Sequence, residues 1–261
     1  MKQFILKDPP GPEGILHLYG KDYHYLVRVR RLRSGDFFKA LLPGGVETTI
    51  RVLSTVDGIL IGECKGSFEK QPQTGPLIVL YQGLPRGSKM DLIVRQAAEG
   101  GLAEIVPFES EYSTFKLRAL SEERLERWER IIKEARQQSG SPFATALRPP
   151  RGIGELLDHW EEAKKRHPRA VGLLFHQEPI PPAGALEKSG FHGYLKGDPG
   201  LVALAIGPEG GFSQDEVSRF LAAGFKALTM GNTILRTETA ALYAAAVTRI
   251  LLLESRLWTL K

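Results

Sequence analysis

Apolar residues follow two different rhythms along this chain. Up to about residue 65 they alternate with polar ones in short runs, Phe37-Phe-Lys-Ala-Leu-Leu42, Glu47-Thr-Thr-Ile-Arg-Val-Leu53 and Ile59-Leu-Ile-Gly-Glu-Cys64, punctuated by Pro43-Gly-Gly45 and Asp57-Gly58. Alternation with frequent turns predicts a small β-barrel. After Phe68-Glu-Lys-Gln-Pro-Gln-Thr-Gly-Pro76, a stretch of linker composition, the rhythm changes. Mostly apolar runs at 77–82, 104–108, 170–175, 201–206 and 226–230 read as strands buried on both faces. Between them, helical periodicity predicts helices near 88–100, 121–138, 153–166, 213–223 and 238–256. Strand and helix in alternation mean a parallel sheet covered on both sides. The expected fold is therefore an α/β domain over residues 73–261, preceded by a small β domain over 1–72. Within helix 121–138, Leu125, Trp128, Ile131, Ile132 and Ala135 share one face and should be core.

Two glycine-punctuated segments interrupt this pattern where a strand meets a helix. In the first, Val202 to Ile206 runs into Gly207-Pro-Glu-Gly-Gly211-Phe-Ser213, and Ser213 with Glu216 fits a capping box. Gly224 should stop the helix that follows. The second is Met230-Gly-Asn-Thr-Ile-Leu-Arg-Thr-Glu-Thr239. Such turns at the carboxyl edge of a parallel sheet build cradles for small molecules. A phosphate loop would need Gly-Lys-Ser/Thr, which is missing. A dinucleotide or class I methyltransferase site would want an acidic residue ending the next strand, but Lys226 to Met230 ends in Gly231-Asn232.

Composition adds limits. The 261 residues, 42% hydrophobic and 25% charged, suit an ordinary globular protein with room for two cores. Met1 to Pro9 has no sustained apolar core for a signal peptide, and no run is long enough to span a bilayer, so a cytoplasmic location without a membrane partner is expected. Cys64 stands alone in a strand pattern and should be a packed thiol. The six histidines lack metal spacing, and no metal is expected. A net charge of +5 allows a polyanionic partner without demanding one. More telling is the density of Arg28, Arg30, Arg31 and Arg33, which on a strand would put Arg31 and Arg33 on one face and Arg30 on the other. The cluster is either a solvated face or a contact for RNA phosphates.

Several stretches together carry a family resemblance. Gly207-Pro-Glu-Gly-Gly-Phe-Ser213 with Glu216, Leu235-Arg-Thr-Glu-Thr-Ala240, Leu84-Pro-Arg-Gly-Ser-Lys-Met-Asp91, Gln138-Ser-Gly140 and the stretch from Tyr25 to Asp36 resemble the small-subunit (16S) rRNA uridine-N3 methyltransferases of the RsmE type, within the SPOUT superfamily. The resemblance touches most of the chain. It implies a PUA-like RNA-binding β-barrel, a SPOUT-type domain with a trefoil knot, S-adenosyl-L-methionine as cofactor, and ribosomal RNA or the assembled small ribosomal subunit as substrate. It also implies a cofactor cradle at Phe175, Ile206, Gly207, Gly210, Gly211, Met230, Gly231, Leu235 and Thr237. To the RNA side it assigns Arg86, Lys89, Arg136, Gln138 and Ser139, beside Arg28, Arg30, Arg31 and Arg33. Finally it implies a homodimer, for which Leu242, Ala246, Ile250, Leu253 and Leu257 offer an apolar face; the same stripe would also serve as intrachain core.

Methyl transfer to uracil N3 needs a nucleophile that has lost or is losing its proton. Arg236, just before the last helix, could steady the resulting charge on O2 or O4, or fix a phosphate, or simply pair with Glu238 or Glu209. Glu209 is the nearest carboxylate able to take the proton, if burial raises its pKa. Gln137 and Ser141 stand where the family pattern has an acidic residue and an arginine, and Glu99-Gly100-Gly101 replaces Glu-Leu-Gly. Those departures bear on RNA docking. A methyltransferase acting at another rRNA or tRNA position, a non-catalytic RNA-binding module and an unrelated nucleotide-dependent α/β enzyme are the alternatives. The intact Leu235 to Thr239 segment disfavours loss of activity, and the missing lysine and ribose-binding acid disfavour the last.

Overall fold

A computed structural model describes residues 3–11, 13–42, 45–66, 75–141, 143–177 and 191–254. Residues 43–44, most of the linker stretch, the end of helix 238–256 with Leu257, and the side chain of Leu253 lie outside the described residues. The chain divides into two compact units, residues 1–74 with 136–142 and residues 75–135 with 143–261.

In the first unit, β1 (Phe4–Ile5), β2 (Ile15–Tyr19), β3 (Phe37–Leu41), β4 (Glu47–Val56) and β5 (Ile59–Lys65) form a sheet in the order β1-β3-β4-β5-β2. The pairs are antiparallel except β1 with β3. Alternation does what it should: Phe38, Ala40, Ile50, Val52 and Leu60 turn inward onto Phe4, Leu16 and Leu26. Cys64 packs partly buried against this cluster, and burial pushes its thiol pKa up, as a packed thiol should behave.

The arginine cluster does not lie on a strand. The α1 turn (Gly20–Tyr23) continues as a π-helical turn over His24–Val29, and Arg31 takes a left-handed φ of 60°. Helical spacing wins because it sends Tyr23, Leu26 and Val27 into the core, with Leu26 fully buried, and Leu32 N–H closes back onto the Leu26 carbonyl at 3.1 Å. The division of Arg30, Arg31 and Arg33 between two strand faces therefore fails. All four arginines are nonetheless exposed.

The second unit is a parallel sheet in the order β12-β10-β11-β6-β7-β8, with the short β9 also paired to β7. Its elements are β6 (Leu77–Gly83), α2 (Lys89–Glu99), β7 (Glu104–Glu109), α3 (Glu122–Ser139), β8 (Ala146–Leu147), β9 (Arg151–Gly152), α4 (Ile153–Arg166), β10 (Ala170–Phe175), α5 (Phe191–Tyr194), β11 (Leu201–Ile206), α6 (Gln214–Ala222), β12 (Lys226–Leu228) and α7 (Thr237–Glu254). β11 explains the unbroken apolar run: Val202, Leu204 and Ile206 enter one core with α2, α3 and α7, while Leu201, Ala203 and Ala205 enter the other with α4 and α6. The face of α3 is core as expected, with Trp128, Ile131, Ile132 and Ala135 buried and Leu125 packed beside them. Chain order turns back at the β6–β11 pair, and such a switch point opens a crevice beyond the strand ends. Among the described residues, no helix is long and apolar enough to cross a membrane.

Candidate functional site

A cleft of about 250 Å³ opens at the carboxyl ends of β10, β11 and β12. Phe175 closes one side from β10, and Ile206 and Gly207 come from β11. Met230, Gly231, Leu235, Arg236 and Thr237 enter from the segment joining β12 to α7. The lining mixes apolar side chains, Phe175, Ile206, Met230, Ile234 and Leu235, with the polar residues Gln177, Thr233 and Thr237 and the turn glycines, a mixture that suits a flat heterocycle with a polar edge. Every cradle residue expected from the sequence lines it except Gly210. His176, Gln177, Pro208, Thr233 and Ile234 also line it and were not foreseen.

Two close approaches explain the glycines of the β11–α6 loop. A Cβ on Gly207 would lie 3.0 Å from the Gly211 carbonyl carbon, so the two ends of the loop touch, and Gly211 takes φ +71° to allow it. Gly210, expected in the cradle, does not line the cleft. Its Cβ would meet the Tyr112 Cβ at 2.7 Å, so glycine is required there by a neighbouring loop and not by the cleft.

The capping box forms as written: Ser213 N–H donates to Glu216 at 2.9 Å and Glu216 N–H to Ser213 Oγ at 3.3 Å. Glu216, 4% exposed, also accepts from Ser110 Oγ at 2.9 Å and from Glu111 N–H at 2.8 Å, tying the start of α6 to the loop after β7. A second tie crosses the sheet edge. Gln82, fully buried at the end of β6, donates from Nε2 to Thr237 Oγ1 at 3.0 Å, and that hydroxyl donates to the Gly207 carbonyl at 2.6 Å. Neither tie has a sequence signal, since the partners stand 105 and 155 residues apart.

At the mouth, Lys89 Nζ lies 2.6 Å from Glu209 and 3.8 Å from Glu238, and the Arg86 amide donates to Glu209 at 3.1 Å. Partial burial pushes the Glu209 pKa up, but the Lys89 ammonium and the backbone donors outweigh it, and the net shift is downward. The expected direction is thus reversed, and a carboxylate held this way is a poor proton acceptor. Lys89 is occupied by this ion pair, while Arg86 is exposed and donates from Nε to Thr114 Oγ1 at 2.7 Å. Arg236 is exposed on the cleft wall and, among the described residues, pairs with neither Glu209 nor Glu238.

The other expected RNA contacts divide by exposure. Gln138 is exposed, whereas Arg136 and Ser139 are half-buried, and burial pushes the Arg136 pKa down. Ser141, 7% exposed, accepts from Gln3 Nε2 at 3.0 Å through its carbonyl and faces the interior. Among the described residues no group of three or more His, Cys, Asp or Glu is placed to hold a metal ion.

A family model described as an RNA methyltransferase domain matches residues 73–249. Ribosomal RNA small subunit methyltransferase E of a Synechocystis species is 30% identical over 242 residues, covering 92% of this chain and 74% of the relative. The protein of the same name from Bacillus subtilis is 28% identical over 231 residues, covering 86% of each. Among solved structures, ribosomal RNA small subunit methyltransferase E from Neisseria gonorrhoeae bound to S-adenosyl methionine superposes with a TM-score of 0.79 at 26% identity, covering 96% of this chain and 98% of that one.

Proposed function

We propose that this chain, which belongs to the RNA methyltransferase family and to its RsmE branch, methylates N3 of a uridine in small-subunit ribosomal RNA with S-adenosyl-L-methionine as methyl donor. The observation that carries this reading is the cleft itself, a glycine-lined cradle at the carboxyl ends of β10, β11 and β12, with Arg236 on its wall paired to no carboxylate among the described residues. The cofactor fits the residues present. Apolar walls at Phe175, Ile206, Met230 and Leu235 suit an adenine ring, and a Cβ at Gly231 would point into open space within the lining.

When bound, S-adenosylmethionine supplies an electrophilic methyl group on a sulfonium. The chain's own part is to hold, orient and neutralise. Main-chain groups at Ile206, Gly207, Gly211, Met230 and Gly231 would hold the cofactor, and the Gln82–Thr237–Gly207 chain ties the two glycine turns together. Arg236 steadies negative charge on the uracil O2 or O4 as N3 loses its proton. With Glu209 locked by Lys89, that proton leaves to solvent at the open mouth.

The same reading gives the five-stranded sheet of the first unit the role of a PUA-like RNA-binding barrel, over residues 1–72, with Arg28, Arg30, Arg31 and Arg33 on phosphates. It gives residues 73–261 a trefoil-knotted SPOUT domain and the protein a cytoplasmic site of action. A homodimer would cover the exposed face of α7, where Leu242, Tyr243, Val247 and Ile250 are 39–54% exposed. Transfer of a labelled methyl group from S-adenosylmethionine to unmodified small-subunit rRNA tests the proposal. Label in the RNA supports it, and none with the parent protein in molar excess contradicts it.

A further inference from the structure

Tyr112 is held out at the edge of the cleft by a loop that is otherwise pinned inward. Ser110 and Ser113 flank it, 1% and 2% exposed, while the Tyr112 ring is left 50% exposed. Ser110 N–H donates to Ser113 Oγ at 3.1 Å, Ser110 Oγ and Glu111 N–H donate to Glu216, and Leu117 N–H closes the loop onto Glu109 at 2.7 Å. A loop bonded this densely does not leave a large ring in water for want of order. Tyr112 backs directly onto Gly210, whose chain neighbours Glu209 and Gly211 both line the cleft. Among the described residues no ring or cation stacks on it.

Basic and aromatic groups flank the loop, beside the exposed Glu111 and a Lys116–Glu109 pair. Arg86 donates to Thr114 of the same loop at 2.7 Å, and the Arg124 guanidinium lies 4.5 Å over the Phe115 ring. An exposed ring on a loop that arginines touch, beside the cleft, is the arrangement that single-stranded nucleic acid uses, bases stacking on the ring face and phosphates lying on the cations.

We infer that Tyr112 is a stacking platform for a nucleobase flanking the target uridine, with Arg86 and Arg124 on the adjoining phosphates of a single-stranded RNA segment. This rests on the rRNA methyltransferase reading above. N3 lies on the Watson–Crick edge, so a uracil methylated there is unpaired, and the nucleotide beside it loses stacking that the tyrosine replaces. Glycine at 210 is then what lets the ring approach the cleft.

The test compares Tyr112→Ala, Tyr112→Phe and Arg124→Gln with the parent for binding to unmodified small-subunit rRNA over a salt series, with calorimetric affinity for S-adenosylmethionine as the control. Tyr112→Ala should weaken RNA binding about ten-fold, the scale of one base–aromatic stack, with the salt slope unchanged. Tyr112→Phe should match the parent, and Arg124→Gln should lower the slope by about one. Cofactor affinity should hold in all three. Parent-like RNA binding by Tyr112→Ala, equal loss in Tyr112→Phe, or cofactor affinity falling alongside would each overturn the stacking role. Failure of the parent itself to bind this RNA would instead overturn the functional reading on which it rests.

Discussion

The two walls of the cleft are built by opposite means. The β11–α6 wall is fastened throughout: Gly207 accepts from Thr237, Glu209 is held by Lys89 and the Arg86 amide, and Glu216 accepts from Ser110, Glu111 and Ser213. On the β12–α7 wall, among the described residues, no side chain from Thr229 to Arg236 makes a hydrogen bond or ion pair, and Ile234 is 75% exposed. One wall is organised before any ligand arrives, and the other has little to hold it except a ligand. Damage to the first should therefore show in the free protein, and damage to the second only in binding and turnover.

The largest expected effect comes from filling the space between the walls. Gly211→Val places a β-branched residue at φ +71° on the fastened wall, so it should lower stability in the free protein without unfolding it and abolish the heat of S-adenosylmethionine binding. Unchanged calorimetric affinity would mean that the glycine turn is not the cradle. Arg236→Ala probes the loose wall. Its single-turnover methyl transfer should fall by about a hundred-fold or more, the cost of removing an oxyanion-stabilising donor, with cofactor affinity near the parent's. Arg236→Lys should recover part of that loss, since charge remains but the planar fork does not.

The contrast is sharpest between Glu216→Ala and Ile234→Ser. Losing a cap and orphaning three donors should cost about 2 kcal/mol of stability in denaturant unfolding, while the exposed isoleucine should change it by less than about 0.5 kcal/mol. Equal effects would erase the distinction between the walls. The smallest expected change lies in the first unit. Replacing Arg30, Arg31 and Arg33 with Ala should flatten the salt dependence of RNA binding by about two in slope and leave cofactor affinity alone. A slope equal to the parent's would reduce the cluster to a solvated face.

What the sequence revealed follows from where the information lies. β10, β11 and α4 have the bounds expected, because unbroken apolar runs and charged flanks are local signals. The capping box of α6 and the stop at Gly224, with φ +91°, are local too. β12 ends at Leu228, two residues short, where the chain leaves the sheet for the cleft. The two-residue strands β8 and β9 were invisible because their pairing with β7 leaves no periodicity in Ala146-Leu147 or Arg151-Gly152. The backbone of Arg28 to Arg33 was not legible because such a cluster reads alike on a strand and on an irregular turn until its apolar partners are known. The roles of Gln82, Glu216 and Gly210 all depend on residues far along the chain. A glycine needed for a cofactor and one needed for Tyr112 read alike.

The most direct measurement is mass spectrometry of nucleosides from small-subunit rRNA of cells lacking this gene, complemented with the parent or with Arg236→Ala. 3-Methyluridine should be absent without the gene, return with the parent, and stay strongly depleted with the variant. Its presence at parental level in cells lacking the gene, or its failure to return while a different methylated nucleoside does, would contradict the assignment of uridine N3.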